Sequence, residues 1–162
     1  MKTDYIPEEI LWRLMDCMTP VNSAVLMLMV FTGMRVGDAT HQRLTDWLDV
    51  LNGKASSIRY KESKTGKERV IRVPSDVAAK LKELPRGESP WLFPGRYPEH
   101  PRTRQAVYKD LNRVAKLYRV NGKKIRQRIG THTARKVYAV KLYHAADEQG
   151  LYDPLEYVRV DL

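Results

Sequence analysis

The sequence predicts an α+β domain that is mainly α-helical and carries a small antiparallel β-hairpin. Apolar residues recur at three- and four-residue spacing through most of the chain, the signature of amphipathic helices. Between residues 48 and 74 the pattern changes to alternating and β-branched runs broken by turn residues, the signature of strands. At 162 residues and 43% hydrophobic content, the chain can bury one sizeable core. It reads as one domain over 1–162, without repeats or flexible linkers.

Taken in order, Pro7 suits a first helical turn and Glu8 and Glu9 suit its positive end, with Ile10, Leu11, Leu14, Met15 and Met18 forming the apolar stripe. A second helix follows Pro20; its run from Val25 to Phe31 is apolar on nearly every side, so it is expected to be buried on several faces, and Gly33 should stop it. Arg35 then stands at the junction with a short third helix. Asp38, three residues on, is expected to orient its guanidinium. Leu48–Leu51 is expected to be a strand entering an Asn52-Gly53 turn, and Ser57–Tyr60 and Arg69–Val73 are the arms of a hairpin. Lys64 projects from the polar loop between those arms. Ser75-Asp76 looks like the cap of a helix running to Leu84, before Pro85 and Gly87.

The four prolines between Pro90 and Pro101 predict a rigid irregular connection, with Trp91, Leu92 and Phe93 anchoring it on the core. Thr103–Tyr118 is a helix with Val107, Leu111, Val114, Ala115 and Tyr118 on its inner stripe. A basic turn, Asn121–Arg128, leads to a helix from Thr131 through Ala145, whose inner positions are Ala134, Val137, Tyr138, Val140, Leu142 and Ala145. A short helix closes the chain over Leu155–Leu162. His41, His100 and His144 read as surface, loop or packing residues.

Lys and Arg number 29 against 19 acidic residues, a net charge of +10 that favours a polyanionic partner. The basic residues are spread over loops and helices, which suits nucleic acid better than a membrane surface. One cysteine and no close histidine pair give no disulfide and no zinc site. The longest apolar run is too short to span a bilayer, so the expectation is a cytoplasmic, nucleoid-associated protein binding double-stranded DNA.

His132 and Arg135 sit three apart at a helix start and share a face. A proton-transfer group and a permanent bidentate cation aimed together suit a phosphate. The neighbouring Lys123, Lys124, Arg126 and Arg128, with Lys136, are candidates for contact with DNA phosphates.

In this order the charged residues resemble the catalytic domain of the tyrosine recombinases, the phage-integrase family. The resemblance lies in Thr32-Gly33-Met34-Arg35-Val36-Gly37-Asp38, with Asp38 where the family usually has Glu; in Ser63-Lys64-Thr65-Gly66 followed by a strand over Arg69–Val73 and Pro74; and in His132 to Arg135, followed by Lys136 where many members have His. It implies a site for one scissile phosphodiester. Arg35 and Arg135 would hold the nonbridging oxygens, Lys64 would protonate the leaving 5′ oxygen, and His132 would assist proton transfer or hydrogen-bond the phosphate. A phosphotyrosine intermediate implies no cofactor or metal. In the family a Gly-His pair and then the nucleophilic tyrosine follow a segment like Tyr157–Leu162. The expectation is therefore a catalytic-domain fragment without the nucleophile or the N-terminal core-binding domain, from a parent that works as a tetramer on DNA. A non-catalytic DNA-binding protein that keeps the arginines as a phosphate clamp is the alternative, and type IB topoisomerases share the chemistry. An RNA-binding module lacks the aromatic strand or clamp motif it would need.

Overall fold

The structure, a computed structural model, describes residues 2–162. Among the described residues, eight helices and two two-stranded sheets follow one another: α1 Glu8–Asp16, α2 Pro20–Thr32, α3 Val36–Thr40, α4 Leu44–Leu51, β1 Ser57–Lys61, β2 Glu68–Arg72, α5 Ser75–Lys82, α6 Arg104–Leu117, β3 Arg119–Val120, β4 Lys123–Lys124, α7 Thr131–Glu148 and α8 Pro154–Asp161. The predicted class holds: helices form the body and an antiparallel hairpin stands against it.

Helix α2 is the centre of the core. Its nearly uniform apolar sequence is explained by its neighbours, since α1, α3, α5, α6 and α7 all pack on it and Val25, Leu26, Leu28 and Met29 are fully buried. Helix α6 is pinned to the start of α2 by Asp110. Its carboxylate accepts from the Thr19 amide, the Thr19 hydroxyl and Asn22 Nδ2, each at 2.9 Å.

Gly33 ends α2 in the left-handed region at φ +67, as a C-cap glycine should. Thr32 tightens the same joint, its hydroxyl donating to Leu28 O at 2.6 Å and accepting from the Met34 amide at 3.2 Å. This fixes where Arg35 starts. A Cβ on Gly33 would lie 2.6 Å from two ring carbons of Tyr138 on α7. Gly33→Ala combines that clash with an unfavourable φ, and a loss of about 2–4 kcal/mol is expected in urea unfolding. A change within about 0.5 kcal/mol would show that the joint adapts.

Strands β1 and β2 pair antiparallel, with Ser57 opposite Arg72 and Tyr60 opposite Arg69. Ile58, Tyr60, Arg69 and Ile71 face inward while their neighbours are exposed. The predicted strand over Leu48–Leu51 is instead the last turns of α4. Trp47, Val50 and Leu51 are buried and Leu48 is exposed, a helical period. The following Asn52-Gly53 stops this helix, Gly53 taking φ +73 and its amide returning to Val50 O. Helix stops and tight hairpin turns want the same residue types, which is why the dipeptide misled.

Helix α5 ends at Lys82, short of Leu84, and begins at Ser75 without a side-chain cap. Leu92 and Phe93 are fully buried and anchor the proline-rich connection, while Trp91 is half-buried under the Arg43 guanidinium, 4.0 Å from the ring centroid. On α7 the inner stripe is Thr131, Thr133, Ala134, Val137 and Ala146; Ala145, expected inside, is exposed. None of the described helices is long and apolar enough to cross a membrane.

Candidate active site

The end of α2 and the start of α7 lie together because those helices pack on each other; Arg35 follows the first and Arg135 stands on the second. Arg35 is the N-cap residue of α3, in extended conformation at φ −69, ψ 148. Its Nη1 donates to Glu62 Oε2 at 2.7 Å, an ion pair whose acid is almost wholly buried. The expected partner, Asp38, does other work: its Oδ1 accepts from the Ser63 amide at 3.0 Å, at the tip of the β1–β2 hairpin. Spacing of i to i+3 brings side chains together only when both residues are helical, and Arg35 precedes the helix.

Arg135, on the second turn of α7, is half-buried. Its Nη2 donates to Leu162 O at 2.7 Å, whereas Nη1 is buried with no acceptor among the described residues. Burial lowers its pKa, and the charge of Arg35 lowers it further, so the two guanidinium groups feel each other directly. A buried guanidinium N–H without an acceptor is open to an anionic oxygen.

His132 is the second residue of the same helix and is exposed. Partial burial and the charges of Arg104 and Arg135 lower its pKa, so the neutral ring predominates at pH 7 and can accept a proton. Lys64 sits on the turn between β1 and β2, exposed, and no hydrogen bond or ion pair holds its side chain among the described residues. The structure thus gathers Arg35, Arg135 and His132 into one electrostatic neighbourhood and leaves Lys64 on an arm beside it.

The site contains residues that the sequence reading did not single out. Glu62, Arg69 and Asp161 form a chain of charges behind Arg35: Arg69 Nη1 lies 3.4 Å from Glu62 Oε1 and its Nη2 3.1 Å from Asp161 Oδ2. Tyr138, on α7, donates its hydroxyl to the same Asp161 oxygen at 2.7 Å. Burial, that hydrogen bond and the aspartate charge all raise the tyrosine pKa, so the phenol stays protonated. Tyr60 reaches inward from β1, its buried hydroxyl unpaired among the described residues.

Of the predicted DNA contacts, Lys123, Lys124, Arg126 and Arg128 are exposed on and after the small β3–β4 hairpin, where Asn121 and Gly122 make the turn at φ 49 and 75. Arg128 is partly engaged, since its Nε lies 3.9 Å from Asp4 Oδ2, which also accepts from its backbone amide at 2.8 Å. Lys136 is not on that free surface: its ammonium donates to Thr3 O. With His132, Arg135 and Leu162 it lines a cavity of about 360 Å³. A larger groove of about 830 Å³ lies between α4, β2 and α5 and contains none of these residues.

Glu62 and Asp110 make the fold acid-sensitive. Burial alone would raise both, but hydrogen bonds from Thr65 and Arg35 and the Arg35 charge hold Glu62 at about 2. Asn22, the Thr19 amide and Arg113 likewise hold Asp110 at about 2. Because both folded values lie below the ordinary carboxylate range, their contribution is complete above about pH 4.5 and is lost as pH falls toward 2. The expected loss is on the order of 3–5 kcal/mol over that window, read from urea midpoints. A midpoint independent of pH there would contradict it.

The phage integrase family matches this chain over residues 5–156. No curated protein matches it by sequence. Among solved structures, the XerH site-specific recombinase bound to difH substrate in a pre-cleavage complex is similar, at TM-score 0.64 and 21% identity, covering 100% of this chain and 51% of that one. The XerA recombinase is similar at TM-score 0.60 and 20% identity, covering 98% and 54%. The catalytic domain of the bacteriophage HP1 integrase is similar at TM-score 0.58 and 15% identity, covering 98% and 86%. At these identities the likeness is one of fold. The chain spans about half the length of the XerH and XerA chains.

Proposed function

The chain belongs to the phage integrase family, and on that premise we propose that it is the catalytic-domain portion of a site-specific DNA recombinase that cuts and rejoins DNA through a 3′-phosphotyrosine intermediate. The observation that carries this reading is the Arg135 guanidinium, bonded on one side to Leu162 O and left with a buried donor that has no acceptor among the described residues, beside the second arginine. Arg35 and Arg135 take the nonbridging oxygens of one phosphodiester and stabilise the charge that grows in the pentavalent transition state. His132, neutral at pH 7, hydrogen-bonds the phosphate or accepts the proton of the attacking hydroxyl. Lys64 gives its proton to the departing 5′ oxygen as the phosphorus–tyrosine bond forms and the phosphorus–5′ oxygen bond breaks.

The attacking tyrosine, in this reading, is none of the nine in the chain. Tyr138 is unsuited because its hydroxyl is committed to Asp161 and resists ionisation. Tyr143, Tyr152 and Tyr157 all precede the point where the family places its Gly-His pair. The exposed Lys123, Lys124, Arg126 and Arg128 contact phosphates flanking the scissile one. The full-length parent carries a core-binding domain, supplies the nucleophile and assembles as a tetramer on DNA in the nucleoid.

The test has two parts. In a gel-shift titration the chain is expected to bind duplex DNA with an affinity that falls steeply as salt rises. With a suicide DNA substrate that traps phosphotyrosine, no covalent adduct is expected. Failure to bind a duplex at low salt would remove the recombinase reading, and an adduct mapped to one of these tyrosines would remove the external nucleophile.

A further inference from the structure

Glu62 is the most heavily engaged acid of the site, and its bonds run in two directions. Oε2 accepts from Arg35 Nη1 at 2.7 Å and from Thr65 Oγ1 at 2.7 Å. Oε1 faces Arg69 Nη1 at 3.4 Å. Its backbone closes the turn that carries Lys64: the Glu62 amide donates to Lys67 O and the Gly66 amide to Glu62 O, each at 2.9 Å. Thr65 Oγ1 also accepts from the Lys67 amide at 3.2 Å. On the other flank, the Ser63 amide is held by Asp38 Oδ1. Lys64 therefore sits in a turn fixed on both flanks, with a side chain that is free among the described residues, and one carboxylate oxygen joins that turn, through Thr65, to Arg35.

We propose that Glu62 is a positioning residue that couples Arg35 to the Lys64 turn, so that the order of the guanidinium and the order of the turn depend on each other. This rests on the reading that Arg35 and Lys64 serve one phosphate. A carboxylate fits the task because a single oxygen can accept two short hydrogen bonds while its twin meets a second cation. Glutamine would turn an amide toward either Arg35 or Arg69. Guanidinium and general-acid lysine would otherwise be set independently, since Lys64 lies on a two-stranded arm and Arg35 at a helix joint. Coupling places both from one point, and it is reciprocal in energy.

Nuclear magnetic resonance of the folded chain tests this without requiring activity. Thr65 is exposed and makes no bond to Arg35, so Thr65→Val leaves the core intact. It is expected to lower the heteronuclear Overhauser effect at Arg35 Nε, and Thr65→Ser is expected to restore it. Arg35→Ala is expected to speed hydrogen exchange at the Gly66 and Lys67 amides on the order of tenfold, the worth of one charge-assisted hydrogen bond. A purely structural Glu62 would transmit neither effect. Either response missing overturns the coupling. A parallel duplex titration of the unsubstituted chain separates the two readings: no binding with both responses present removes the phosphate reading and leaves the coupling, while binding with a response absent removes the coupling alone.

Discussion

Arg69→Ala is expected to lower the stability of the chain by about 3–5 kcal/mol, with a fall in melting temperature on the order of 10 °C. Arg69 is buried and neutralises two acids on different elements, Glu62 on the hairpin and Asp161 on α8. Among the described residues, its removal leaves Glu62 with Arg35 and the Thr65 hydroxyl and leaves Asp161 with the Tyr138 hydroxyl. Glu62 is almost wholly buried and keeps one cation, and Asp161 is half-buried, so losing the cation they share costs more than the pair itself contributes. Arg69→Met, which keeps the packing of the stem, is expected to lose nearly as much. The damage should be local in kind: hydrogen exchange should rise first in α8, which Asp161 ties to the hairpin and to α7. A loss under about 1 kcal/mol would mean that solvent reaches Asp161 and screens it.

Arg135→Ala is expected to weaken duplex DNA binding by on the order of tenfold at low salt, and to reduce the dependence of log affinity on log salt by about one phosphate contact. The fold should tolerate it, since among the described residues the side chain makes one hydrogen bond, to Leu162 O. Arg135→Lys should rescue little. A lysine has neither the planar fork nor the reach to keep one arm on Leu162 O while the other meets a phosphate oxygen. Lys123→Ala on the small hairpin provides the contrast, a flanking contact whose loss should be screened away as salt rises. Equal effects from the two would argue that Arg135 is one surface cation among many.

Much of this site was legible in the sequence because its parts depend on local geometry. Gly33 marked the end of α2 and therefore the placing of Arg35, and the turn residues around Lys64 marked a hairpin tip. His132 and Arg135 shared a face as soon as Thr131 opened a helix. Asp38 was misassigned because a helix rule was applied to Arg35, one residue before the helix begins. The Glu62–Arg69–Asp161 chain stayed hidden because it joins residues up to 92 apart in sequence. A signal was nevertheless present. Ile58, Tyr60 and Glu62, the last one residue past β1, keep one parity, as do Arg69, Ile71 and Val73, so each arm of the hairpin points one charge into the core. Two opposite charges at inward positions of paired strands predict a mutual contact. Leu48–Leu51 failed for a different reason: four residues are too few to separate a strand from a helix end without the Leu44 and Trp47 that precede them.

The central claim is that Arg35, Arg135 and His132 cradle one DNA phosphate with Lys64 beside it. The most direct measurement follows the side-chain Nε resonances of both arginines, the His132 ring and the Lys64 ammonium while a short duplex is titrated into labelled chain. The account predicts that all four move together along one binding curve, with Arg135 shifting most because its free donor gains an acceptor. Duplex binding that perturbs the β3–β4 hairpin and leaves the two arginines unmoved would contradict it.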